Sequence, residues 1–134
     1  MHASTLSFRS AVILGIAGMI FGIVMAASGN HSTYPAHAHL NLIGWVSLFL
    51  IGIFYRLHPA LDTSRTALAQ VWIWNVATVI LTCGVAAIFM GHMEFEPVAI
   101  AGSLIILADM LLFSYFVFRP ERSTVGAMRS IPAE

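Results

Sequence analysis

Four long apolar stretches dominate the chain, at residues 8–27, 39–57, 67–90 and 97–118, and only short polar connections separate them. About 20 apolar residues are what a helix needs to cross the hydrocarbon of a bilayer. A chain of 134 residues with four such stretches has room for four spans and little else. Because a bilayer offers no partner to an unpaired N–H or C=O, each span is expected to be helical. The expected fold is an all-α, integral membrane four-helix bundle forming one membrane domain over residues 1–134.

Composition points the same way. Hydrophobic residues make up 59% of the chain and charged ones 9%, against roughly 25% charged in soluble domains. With no lysine, a formal net charge of zero and the single cysteine Cys83, neither a nucleic-acid module nor a disulfide scaffold is expected. The lipid bilayer is the first partner. Arg9 ahead of an apolar run that ends near Ala26 and Ala27 has the outline of a signal peptide. The run is nevertheless long enough to span, and Gly15, Gly18 and Gly22 have the small-residue spacing of a close helix contact. It is expected to be a retained helix.

All six basic side chains are arginines. Arg9 precedes the first stretch, Arg56 and Arg65 lie between the second and third, and Arg119, Arg122 and Arg129 follow the fourth. The positive-inside rule then places both termini in the cytoplasm. His31, His37, His39 and His92, with Glu94 and Glu96, fall on the opposite side, which for a bacterial inner-membrane protein is the periplasm. Four of six histidines on one side are the main functional clue, and a bundle would bring the start of the second span near the end of the third, close to His92.

Pro35 suits the first turn of a helix, with Ser32 or Thr33 as its cap, so His37 and His39 enter the first two turns. A helix N-terminus favours the neutral imidazole that binds iron, copper or zinc. Residues two apart on a helix point about 200° apart, so the two rings are expected to serve different sites. Asn41, Gly44, Leu48, Gly52 and Tyr55 share the His37 stripe, whereas Ile43, Val46, Leu50, Ile53, Phe54 and Leu57 form an apolar wall below His39.

His37-Ala-His39, followed by Gly52, Phe54 and Pro59, resembles the tenth membrane helix of subunit I in heme-copper oxidases and nitric oxide reductases. In that family the first histidine ligates the high-spin heme beside copper and the second ligates the low-spin heme. The resemblance implies heme ligation by His37 and His39, and it covers about 23 residues. No His-Pro-Glu-Val-Tyr segment and no His-His pair accompany it, so a complete binuclear centre is not implied. Subunit I has three arcs of four helices. This chain is similar to one stand-alone arc, which implies a homo-oligomer, a trimer above all.

His92, between Gly91 and Met93, is a candidate axial ligand, or a member of a His/Met copper site with Met90, Met93 and His31. Glu94 and Glu96 read as charges complementing a helix dipole. Asp109, deep in the fourth stretch, is a candidate proton relay, its plainer role being a hydrogen bond to Asn75 or Thr78. Tyr55, Arg56 and His58 read as interfacial anchors, ahead of propionate or quinone binding, and Trp45, Trp72, Trp74 and Tyr34 as interfacial aromatics.

These residues lead to a b-type heme protein, in electron transfer or in binding or reduction of O2 or NO, with a redox protein or quinol as partner. A copper-binding membrane protein and a cofactor-free assembly subunit of a respiratory complex are the alternatives. No nucleophile, phosphate loop or carboxylate pair points to hydrolysis or phosphoryl transfer, so an enzyme would be a heme-dependent oxidoreductase.

Overall fold

The computed structural model describes residues 1–119, which are helical apart from short connections and contain no strand. Helix α1 is Ala3–Ser28, α2 is Tyr34–Leu57, α3 is the short Pro59–Asp62, and α4 is Arg65–Phe89. A 3-10 turn at Met93–Phe95 leads into α5, Glu96–Phe118. Four helices, α1, α2, α4 and α5 with its leading turn, are long and apolar enough to cross a membrane. Arg122 and Arg129, used above for orientation, lie outside the described residues.

Local chemistry sets the boundaries. Pro35 occupies the first turn of α2, and Thr33 takes the N-cap position without a side-chain bond. Ser64 caps α4 by accepting from Ala67 N at 3.1 Å. Gly29 ends α1 with φ 66, a left-handed conformation that costs glycine nothing.

Antiparallel α1 and α2 form the first pair, α4 packs against both, and α5 lies along α4. This leaves Arg9, Arg56, Arg65 and Arg119 toward one end and His31, His37, His39 and His92 toward the other, termed here the arginine and histidine ends. The three glycines of α1 seat three side chains of α2. A Cβ at Gly15 would meet Trp45 Cγ at 2.9 Å, at Gly18 Asn41 Nδ2 at 2.6 Å, and at Gly22 His37 Cε1 at 2.9 Å. The close contact expected of these glycines is thus made within the chain and gives no separate argument for an oligomer. On α5 the buried or partly buried Ala99, Gly102, Ile106, Asp109, Phe113 and Phe116 alternate steps of three and four, the spacing of a shallow helix crossing.

Residues Leu40–Ser47 wind as a π-helix, which the sequence reading did not foresee. Ala36, Leu40, Gly44 and Leu48 are all buried. In an α-helix each four-residue step overshoots one turn by about 40°, so this stripe would leave the core. The wider winding keeps it facing inward. Several carbonyls here take side-chain donors: Ile43 O from Trp74 Nε1 at 3.0 Å, Leu42 O from Ser47 Oγ at 2.8 Å, and Leu48 O from Ser7 Oγ at 2.6 Å. Trp74 is therefore a core residue, 3% exposed, and Trp45 sits mid-helix on Gly15, so neither belongs to an interfacial belt. Tryptophan was read there from its amphipathic ring, but a buried indole N–H with a backbone acceptor is equally satisfied.

At the arginine end, Asp62 of α3 caps α1 from across the sequence, accepting from Ser4 N at 2.6 Å and Ser4 Oγ at 2.8 Å. Asp62→Ala is expected to cost about 1 kcal/mol and to speed hydrogen exchange at the first amides of α1, with α4 unchanged. Equal exchange in both proteins would remove the cap from the account.

Candidate functional site

Two polar clusters stand out, one at the histidine end and one buried toward the arginine end. In the first, His37 and His39 lie in the opening α-helical turns of α2, ahead of the π segment, and have separate surroundings. The His37 ring enters the α1 contact, its Cε1 edge toward Gly22 and Phe21 edge-on at 6.2 Å. Asn41 Nδ2 is nearly equidistant from both ring nitrogens, at 3.3 and 3.5 Å, so it is aligned with neither lone pair. It donates instead to His37 O at 2.9 Å.

His39 differs. Its Nδ1 lies 2.7 Å from Pro35 O, and since a carbonyl can only accept, Nδ1 carries the proton. In the neutral ring this leaves Nε2 as a bare lone pair, the arrangement that second-shell carbonyls give to metal-binding histidines. The residues expected to continue its stripe, Val46, Leu50 and Ile53, are exposed and face away from the bundle.

The other candidates of this end are not gathered around these two. His31 is exposed, with Nδ1 3.2 Å from Gly29 O. His92 pairs with Glu94, Nδ1 to Oε1 at 3.1 Å, and both are exposed. Met90 and Met93 are exposed as well. The start of α2 does pack against α4, yet among the described residues no group of three or more His, Cys, Asp or Glu side chains could hold a metal ion. Glu94 pairs with His92 and also lies in the first turn of the 3-10 segment, while Glu96 occupies the first turn of α5.

The second cluster links three helices. Tyr55 Oη of α2 donates to Gln70 Oε1 of α4 at 2.9 Å, and Gln70 Nε2 donates to Asp109 Oδ2 of α5 at 2.7 Å. All three are buried, Tyr55 and Gln70 completely. The partner expected for Asp109 was Asn75 or Thr78, but these bond to Val71 O and Trp74 O of their own helix. Short polar side chains in a helix commonly turn back to the preceding turn, whereas glutamine is long enough to cross. Tyr55, read as an interfacial anchor, is instead a core donor beneath Phe113 and Phe116. Asp109 Oδ1 is buried and has no hydrogen-bond partner.

Close backbone approach places this chain of bonds. A Cβ at Gly84 would lie 2.7 Å from Ala99 N, and one at Gly102 2.7 Å from Leu81 N. That antiparallel register carries Asp109 down to the level of Gln70. No family model, curated protein or solved structure matches the chain.

Proposed function

We propose that this is a membrane b-type heme protein in which His39 would hold the heme iron at the histidine end, on the periplasmic side of a bacterial inner membrane. The observation that carries the reading is the Nδ1 to Pro35 O contact, which in the neutral ring leaves Nε2 of His39 as a lone pair. One such imidazole above an apolar surface would suit the role of a ligand to heme iron. Bound there, heme would supply one-electron transfer or a coordination position for O2 or NO.

His39 would hold the iron, and Val46 and Leu50 would form one dry wall. That wall is exposed. The second wall, and a sixth ligand if there is one, would come from another copy of the chain, which favours a homo-oligomer and agrees with the oxidase-like arc. His37, committed to the α1 contact, would serve as a packing residue or a second site.

The test is the optical spectrum of protein purified with heme supplied. The wild type is expected to show Soret and alpha bands, and His39→Ala to lose most of the Soret intensity. His37→Ala should retain it at reduced thermal stability, and His92→Ala should leave it unchanged if the opposing ligand is not His92. A wild-type protein with no Soret band but with bound copper would replace this reading with the copper one. Neither heme nor copper would leave a cofactor-free subunit.

A further inference from the structure

Beyond the histidine end, the α4–α5 pair carries a second site of a different kind. A groove of ≈ 400 Å³ runs between these helices, lined by Ile73, Leu104, Ile105, Ala108, Asp109 and Leu112. Its lining is almost wholly aliphatic, and Ile73, Leu104, Ile105 and Leu112 are exposed, so in a membrane the groove opens to the acyl chains. Asp109 is the one ionisable residue in it, 3% exposed, and its Oδ1 has no partner.

The other carboxyl oxygen is already taken. Oδ2 accepts from Gln70 Nε2, and Gln70 in turn is held by Tyr55, so the carboxyl cannot turn toward the core without breaking that chain. An orphan polar atom at this depth costs on the order of 1–3 kcal/mol and calls for a partner from outside the fold. The ligand must arrive through lipid, which excludes an ion, and it meets a single polar atom in an aliphatic slot. A hydroxyl meets that need in either protonation state, because it both donates and accepts. A phenol is favoured over an aliphatic alcohol, since its more acidic O–H is the stronger donor and its flat ring suits a slot between two helices.

The geometry points to this groove as a binding site for a membrane-soluble phenol, with ring and alkyl tail between α4 and α5 and the hydroxyl on Asp109 Oδ1. Ile105 and Leu112, exposed and lining the groove with Asp109, can change rotamer to admit it. The site is independent of heme at the other end of the molecule.

The test is equilibrium binding of tritiated 4-nonylphenol to the 134-residue protein in lipid nanodiscs, beside its methyl ether and 1-nonanol. The phenol is expected to bind about tenfold more tightly than the ether, the worth of one charge-assisted or buried hydrogen bond. Asp109→Leu should abolish the difference and Asp109→Asn keep part of it. Ile73→Trp, which fills the groove and leaves the Tyr55–Gln70–Asp109 chain in place, should abolish binding with the melting temperature preserved, and it decides the matter if Asp109→Leu does not fold. Equal binding of phenol and ether would overturn the proposal, as would equal binding of 1-nonanol. So would efficient disulfide dimerisation of an Ile105→Cys variant, which would mean that a second copy covers the groove.

Discussion

Gly102→Leu is expected to be the most damaging single substitution in the helix core, costing about 3 kcal/mol or more and separating α5 from α4. The β-carbon alone would sit 2.7 Å from Leu81 N and 2.8 Å from Leu81 Cα, both backbone atoms of a continuous helix. Nothing there can rotate aside, so the whole helix must move. Moving it also pulls Asp109 from Gln70, which adds a broken buried bond to the steric cost. Gly18→Ala makes the useful comparison. Its closest contact is nominally tighter, 2.6 Å to Asn41 Nδ2, but that atom ends a side chain able to swing away. Unfolding in mild detergent should therefore rank Gly102→Leu far below Gly18→Ala. The opposite ranking would mean that α5 is not seated on α4 as described.

The second large effect is expected from Gln70→Leu. The glutamine is completely buried and serves both neighbours, so its loss strands Tyr55 Oη and the remaining bonded oxygen of Asp109 together. Each stranded group costs roughly 1–3 kcal/mol, giving a destabilisation of about 2–6 kcal/mol, whereas an ordinary side-chain hydrogen bond between membrane helices is worth only about 0.6 kcal/mol. Tyr55→Phe removes a donor and leaves one acceptor short, so its cost should be about 1 kcal/mol. The triple variant Tyr55→Phe, Gln70→Leu, Asp109→Leu strands nothing. It is expected to unfold at or above the wild-type temperature, because apolar replacement of a whole buried polar chain is commonly neutral or stabilising. A triple variant less stable than Gln70→Leu alone would show that packing shape, and not polar pairing, holds these helices together.

What could be read from the sequence follows from how local each signal is. Span positions depend on apolar length, so four membrane-length helices were legible, although α1 starts at Ala3 and α2 at Tyr34, earlier than apolarity alone suggested. Polar residues such as Ser4 and Ser7 can belong to a helix when another element supplies their partners. Gly15, Gly18 and Gly22 announced a close contact by spacing but could not say with which helix. The π segment left no legible mark, since the donor to Ile43 O is Trp74, far along the chain. Asp109 was conspicuous because a carboxylate in an apolar run is rare, while Gln70 was overlooked because it sits near the start of its run. Only the α4–α5 register makes them neighbours. The His37 and His39 pair was noticed for its spacing, and the bond to Pro35 O that distinguishes the two rings is a matter of rotamer, beyond what spacing can give.

The cap on α1 has a bearing on the order in which the protein is made. Ser4 N and Oγ find their acceptors on a residue synthesised 58 positions later, after the whole of α2. Until then the first turn of α1 must keep its amides in water, since bare N–H groups are costly in lipid. In a membrane the beginning of α1 would stay hydrated at the surface until α3 arrives and Asp62 closes over it. Completion of the first helix therefore waits on the α2–α4 connection, so a chain ending before residue 62 would leave the first turn of α1 without its acceptor.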